Sequence, residues 1–349
     1  MRSLTVFCLA VVLTFVSTSP VSAEGAVTLE NVIAPSANIK DEPLAKKFSL
    51  EKAVHFLDSA SINWQKKRKC FTCHTNYAFL YARPAVSSDT KSHATVRAFA
   101  EQLVTERWEK QGPRWDAEVV ATAAALAFND AATTGKLNAV TKTALDRMWT
   151  LQRKDGGFDW LKCNWPPMES DDHYGVTLAA IAVGSAPANY EQSKEGQVGL
   201  AKMSKYFKAN PAPTAHHEAM LLWANSTLKS PVAKQDKQAA IKQLLGLQKA
   251  DGGWGLATLG GDHWKRDDGK KQDLEISDGY GTGFVIFTLR QAGVDADNPQ
   301  IQKGIAWLKS NQRESGRWFT RSLKKDGKHF ISHAGTAFAI MAIQSCEDI

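Results

Sequence analysis

Lys303-Gly304-Ile305-Ala306-Trp307-Leu308, followed by Gln312, Gly316 and Trp318, is the stretch that decides how this chain folds. It reads as an amphipathic helix ending near a Gln, then a Gly turn, then an aromatic. The pattern recurs at Met148-Trp149-Thr150-Leu151-Gln152 with Asp155-Gly156-Gly157-Phe158, and at Leu244-Leu245-Gly246-Leu247-Gln248 with Asp251-Gly252-Gly253-Trp254. Gly supplies the positive φ that closes each helix. The Gln amide can bond peptide groups at the next helix start, and the aromatic can pack over the turn. Self-similarity of this kind marks a repeat architecture.

A second class of helix alternates with the first and is small, apolar and rich in Ala, Thr and Gly. Ala117 to Phe128, Tyr174 to Val183, Glu218 to Ala224, Gly281 to Leu289 and Ala334 to Ile343 belong to it, and Tyr77 to Ala85 fits the same slot. Small residues let helices crowd, as an inner ring requires. The spacing predicts six helical hairpins, with inner helices starting near Thr75, Asp116, His173, His216, Gly279 and His333. The second and fourth lack a clear Gly–aromatic turn. Six hairpins closed head to tail make an all-α (α/α)6 toroid whose polar inner-helix starts meet in a pocket at one end. An open helical solenoid is the competing arrangement.

Composition sets outer bounds. The chain has 349 residues, 43% hydrophobic and 23% charged, with 24 Gly and 12 Pro, which excludes a disordered chain, a collagen or a multi-span membrane protein. Its 11 Trp fall mostly in the repeats, and its 5 Cys are too few for a disulfide scaffold. The net charge of +7 is spread in mixed runs and forms no nucleic-acid stripe. Met1-Arg2, the apolar run from Leu4 to Val16 and Val21-Ser22-Ala23 read as a secretory signal peptide over residues 1–23, cleaved after Ala23. An uncleaved anchor is the alternative. Either way the folded part is expected outside the cytoplasm, periplasmic or extracellular, with no transmembrane segment in the mature chain. Residues 24–46 read as a linker and 47–349 as the toroid.

The run Lys303-Gly304-x-x-Trp307-Leu308-x-x-x-Gln312-x-x-x-Gly316-x-Trp318 resembles the QW repeat of squalene-hopene and oxidosqualene cyclases, and the Asp-Gly-Gly-aromatic turns resemble repeats of protein prenyltransferase β subunits. The resemblance covers roughly Leu50 to Cys346. Such cyclases carry two helical domains, and this chain has room for one. The resemblance implies the toroid more than the activity, since related toroids include enzymes, binding domains and cobalamin carriers.

Two candidate sites follow from the resemblance. Glu169-Ser170-Asp171-Asp172-His173-Tyr174 is similar to the Asp-x-Asp-Asp-Thr-Ala motif with which squalene cyclases protonate an alkene. It implies Asp171 as proton donor, supported by Asp172 and Glu169, though Glu replaces the first Asp and His-Tyr replaces Thr-Ala. The alternative is helix capping by Asp171 or Asp172. Asp278-Gly279-Tyr280 and His333 stand where prenyltransferase β subunits hold zinc. Tyr280 replaces the Cys ligand, so no zinc is expected.

The sharpest local motif is Cys70-Phe71-Thr72-Cys73-His74. Cys-x-x-Cys-His is the attachment pattern of covalent haem c: two thiols bond the porphyrin edge and the His ligates the iron. On this reading His74 is the iron ligand. The second axial ligand is His333, His173, His216 or Met168, with His333 favoured if the ring closes. Lys66-Lys67-Arg68-Lys69 could pair with the propionates. A Cys70–Cys73 disulfide, a zinc site and a plain repeat position are the alternatives. His216-His217-Glu218 reads as cap and pocket lining, and Cys163 and Cys346 stand far apart in sequence. Three function classes remain: an acid-initiated enzyme acting on an isoprenoid or other apolar substrate, a haem c redox protein with a redox partner, and a binding module for a hydrophobic molecule or a protein.

Overall fold

The computed structural model describes residues 26–108 and 116–347, so the expected signal peptide over 1–23 lies outside the described residues. Helices alternate between an outer and an inner layer. The outer ones are α1 (Leu50–Arg68), α3 (Lys91–Gln102), α5 (Ala139–Thr150), α7 (Lys194–Ala209), α9 (Lys237–Gly246) and α12 (Pro299–Asn311). The inner ones are α2 (Ala78–Ala82, entered through a π-helical turn at Cys73–Tyr77), α4 (Asp116–Thr133), α6 (Asp172–Ser185), α8 (Ala215–Thr227), α11 (Gly279–Gln291) and α13 (Ile331–Cys346). A short α10 (Leu256–Gly260) precedes α11. No strand forms among the described residues, which hold only two isolated bridges.

The six hairpins close into a ring. Successive inner helices pack on one another from α2 through α13, and α13 packs back on α2. The repeat turns explain the regularity. Gly156, Gly252 and Gly316 adopt φ of 91°, 92° and 92°. Each conserves space as well as conformation: a Cβ on Gly156 would lie 2.0 Å from the Lys202 carbonyl oxygen, and one on Gly316 2.2 Å from that of Lys52. In each of these three turns the Gln amide donates to its own turn carbonyl and to the start or body of the next outer helix. Gln152 donates to Gly156 and Gly199, Gln248 to Gly252 and Gln300, and Gln312 to Gly316 and Ser49. The aromatic locks the turn to its helix, with the indoles of Trp254 and Trp318 donating to Leu244 and Leu308 at 2.7 and 2.8 Å.

The barrel axis is solid. Trp223 of α8 makes edge contacts with Tyr81, Phe128, Phe287 and Phe338, which come from four other inner helices. Rings of this size dominate core energetics. Polar inner-helix starts gather at one end: Asp171, Thr214 and Asp278 cap α6, α8 and α11 through their side chains. The starts of the α2 segment and of α13 have no side-chain cap. No helix among the described residues is long and apolar enough to cross a membrane.

The segment expected as a linker is docked from residue 26 onward. Arg317, 1% exposed, pairs with Glu42 and donates to Ser36, Ala37 and Asn38. Residues 36–45 thus lie as a strap across the seam where the sixth hairpin meets the first.

Candidate functional site at the barrel mouth

The cysteine motif sits where the strap, the first hairpin and the sixth hairpin converge. Lys69 takes a left-handed conformation (φ 49°) that ends α1 and turns the chain inward. Cys73 and His74 then open the π-helical turn, a local widening frequently found at functional sites. Cys70 and Cys73 are both half-buried free thiols rather than a disulfide. Burial pushes the Cys73 thiol well above its ordinary range, with the nearby Glu169 carboxyl adding to the effect.

Two adjoining cavities meet at this motif. One, of about 290 Å³, is bordered by Trp64, Cys70, His74, Met168 and Phe330, with Arg68 and Lys328 at its edge. The other, of about 250 Å³, is bordered by Cys70, Thr72, Cys73, Cys163 and Glu169. Cys70 and Glu169 belong to both. The His74 ring is wedged between Trp64, which meets it edge-on at 4.9 Å, and Phe330, stacked at 5.5 Å. Its Nδ1 lies 2.7 Å from the Thr75 hydroxyl. Its Nε2 has no hydrogen-bond partner among the described residues. Burial lowers the imidazole to about 4, so it is neutral at pH 7. A neutral imidazole with Nδ1 held and Nε2 free is the form a metal ligand takes. Trp64 Nε1 and Thr72 Oγ1 are buried without partners on the walls of the same cavities. Buried polar atoms are normally satisfied, so the walls fit a polar-edged guest. The residues present suit a haem held through two thiols and an imidazole.

His333, expected as the second iron ligand, is placed elsewhere. The ring closure does bring it beside His74, at 6.2 Å between ring centroids. Its Nδ1 lies 2.9 Å from the Thr75 hydroxyl and its Nε2 3.2 Å from the Asn38 amide. Both nitrogens are occupied, and the ring does not border either cavity. His173 and His216 are also turned away: His173 packs on Phe207 and His217, and His216 stacks on Phe284 in the barrel.

The geometry does not support the acid role expected for Asp171. Burial would raise its carboxyl, but the His217 hydrogen bond and charge, the Ser170 hydroxyl and the Tyr174 amide outweigh it and hold the group well below the usual carboxylate range. His217 Nε2 lies 3.1 Å from both Asp171 oxygens, and the carboxylate caps α6 through Tyr174 N. Asp172 accepts from Arg153 at 2.9 Å and from the Trp160 amide at 3.1 Å. Both carboxylates are engaged within the fold, Asp171 as the cap of α6 and Asp172 with Arg153 and the Trp160 amide. Glu169 alone of the three is raised, by burial, and faces the cavities instead.

Asp278 and Tyr280 are likewise engaged within the fold. Asp278 accepts from Gly281, Leu256 and Thr320, while burial lifts its carboxyl to about 6. The Tyr280 hydroxyl lies 3.1 Å from His216 Nε2. Cys346 ends α13, away from Cys163 in the mouth loop.

Several mouth residues carry no separate signal in the sequence. Thr75 and Asn38 engage His333 only because hairpins one and six are neighbours. The loop joining α5 to α6 crosses the mouth, paired with itself between Trp165 and Glu169. Trp165 donates to Ser322 at 3.2 Å and lies under the Lys324 ammonium at 5.2 Å. The crossing brings Trp165, Met168, Glu169 and Cys163 over the cysteine motif, a contact that spans about a hundred residues of sequence.

Residues 215–327 match the family model of the squalene-hopene cyclase C-terminal domain. The chain is 23% identical to the squalene–hopene cyclase of Zymomonas mobilis subsp. mobilis over 82% of its own length and 52% of that protein. It is 30% identical to the squalene-hopene cyclase of Schizosaccharomyces japonicus over 26% of its length and 14% of that protein. It therefore spans about half, or less, of the curated relatives it matches. Among solved structures, the ent-copalyl diphosphate synthase from Streptomyces platensis superposes with a TM-score of 0.52 at 14% identity, over 84% of this chain and 50% of that one. The GH76A alpha-1,6-mannanase from Salegentibacter sp. HEL1_6 superposes with a TM-score of 0.50 at 11% identity, over 84% and 98%. These likenesses show the fold: the chain is a squalene-cyclase-like α/α toroid.

Proposed function

We propose that this chain is an exported c-type haem protein in which a squalene-cyclase-like toroid scaffolds a one-electron centre at its mouth. The observation that carries the reading is the His74 imidazole: neutral, tethered at Nδ1 by Thr75, free at Nε2, and facing the cavity that Cys70 borders. Cys70 and Cys73 supply the attachment. Each thiol would add across one porphyrin vinyl group, forming an S–C and a C–H bond as the S–H and C=C π bonds break. No electron is exchanged, so both sulfurs must be reduced for attachment, and Cys70 and Cys73 are not bonded to each other. Arg68 and Lys328 border the cavity as partners for carboxylates on the guest. When bound, haem supplies one-electron transfer, and the Trp64 and Phe330 rings keep water from the ligating face. Residues 66–69 are basic and exposed beside the site, which favours an acidic redox partner. Export belongs to the proposal because the residue 1–23 pattern directs it.

Cyclisation of a polyprene has less support here. The axis is filled by the Trp223 cluster, and Asp171 is an ionised helix cap. An apolar ligand in the mouth remains the second reading, favoured by the Trp64, Met168 and Phe330 walls.

The test is to express the full chain in a host that exports it and matures c-type haem, then record its mass and absorption spectrum. The proposal expects a mass increase of one haem and a Soret band, both lost in the Cys70→Ala, Cys73→Ala double variant. A folded wild-type protein with neither would overturn it.

A further inference from the structure

We infer that Met168 is the second axial ligand of the haem proposed at His74. The inference rests on that reading and adds what completes the site. Of the four side chains the sequence offers as a second ligand, only Met168 borders the His74 cavity. His333 has both nitrogens bonded, while His173 and His216 pack elsewhere. Met168 is buried, at 5% exposure, and borders the same cavity as the His74 imidazole, whose Nε2 has no partner among the described residues.

The backbone around Met168 is held in place. The Trp160 indole donates to the Met168 carbonyl at 2.7 Å, which fixes the residue from below. On either side of it, the Trp165 and Glu169 backbones bond each other in both directions at 3.1 Å. The loop tip is pinned across the mouth by Trp165 on Ser322 and Lys324 over Trp165. A ligand set on a supported loop is preorganised rather than recruited. A thioether is a soft, neutral donor with no proton to lose. Paired with an imidazole it stabilises ferrous over ferric iron and raises the reduction potential. The protein would then be an electron acceptor from low-potential donors, and the loop joining α5 to α6 would be the element that tunes it.

The experiment compares wild type, Met168→Leu, Met168→His and His333→Asn, each matured with haem. Leu conserves the packing volume and deletes the sulfur. Mass reads attachment and the ferric spectrum reads ligation. We expect all four to carry the haem adduct. Wild type and His333→Asn should show the sulfur-to-iron charge-transfer band and low-spin iron. Met168→Leu should lose the band, turn high-spin and open to added imidazole, and Met168→His should stay low-spin with a lower midpoint potential. An adduct in Met168→Leu with an unchanged wild-type spectrum overturns the Met168 assignment while leaving the haem reading intact. A wild type that is low-spin without the band, and that turns high-spin only in His333→Asn, assigns His333 and also overturns it. A folded wild type with no adduct overturns the haem reading and the assignment together.

Discussion

Ser49 and Gln312 bond each other twice: the Ser49 amide donates to Gln312 Oε1 and Gln312 Nε2 donates to the Ser49 carbonyl, both at 2.8 Å. This reciprocal pair joins the start of the first outer helix to the end of the last one and closes the ring. Gln312 is 1% exposed and also donates to Gly316. Gln312→Ala strands buried partners, which costs about 1–3 kcal/mol for each unsatisfied group. It should lower the denaturant midpoint more than Gln152→Ala, whose two bonds join hairpins inside the ring. Equal losses in the two variants would argue that the seam is no more critical than any other repeat junction.

Two glycines with nearly the same φ separate conformational strain from steric clash. Gly316 and Gly327 have φ of 92° and 91°. A Cβ on Gly316 would sit 2.2 Å from the Lys52 carbonyl oxygen, while one on Gly327 meets open space. Gly327→Ala is expected to cost about 1–2 kcal/mol from backbone strain alone. Gly316→Ala adds a clash with backbone at the seam and should be the more destabilised by several-fold, as read by thermal melting.

The strap depends on a buried charge. Glu42→Ala leaves Arg317 without its carboxylate, and breaking such a pair by removing one partner typically costs about 3–5 kcal/mol. Hydrogen exchange over residues 36–45 should rise in this variant beyond any change in the inner helices. His333 Nε2 would lose its Asn38 partner as the strap lifts. Unchanged exchange in the strap would show that other contacts hold it.

Acid should weaken the fold in two stages. Burial lowers His74 and His173 to about 4 and His333 to about 3. These imidazoles stay neutral in the native state while the unfolded chain protonates near the ordinary value of about 6.5. The unfolded state therefore binds more protons, and stability falls as pH drops from about 6.5 towards the folded values. Each imidazole contributes up to about 1.4 kcal/mol per pH unit to that slope. Asp171 acts lower down: its folded carboxyl is depressed, so its contribution is present above about 3.9 and lost as pH falls further. His333→Asn should flatten the upper stage and leave the lower one, measured by denaturant titration across pH. An unaltered upper slope would remove His333 from the account.

Asp171→Asn tests the carboxylate against the acid role. The side chain still caps α6 but loses its charge beside His217. A loss of about 1–3 kcal/mol is expected from weakening a charge-assisted hydrogen bond, with the absorption spectrum of the matured protein unchanged. A change in that spectrum would connect Asp171 to the iron site.

The repeats made the ring legible because their chemistry is local. A Gln, a Gly at positive φ and an aromatic lie within ten residues of one another, and each turn satisfies most of its own backbone groups. The inner helix starts, the apolar packing and the Asp171 cap follow from the same short-range rules, and Cys70, Cys73 and His74 stand out because two sulfurs and an imidazole share one turn. What lay beyond reach was decided by closure. Thr75 meets His333, Asn38 covers it, and Met168 comes to border the same cavity as His74 only once the first and sixth hairpins touch and the loop joining α5 to α6 spans the mouth. Nothing in the spacing of residues 38, 75, 168 and 333 encodes those meetings, because they depend on the summed rotation of six hairpins. The filled axis belongs to the same class: each aromatic reads as an ordinary core residue, and only the ring geometry points rings from four other inner helices at Trp223.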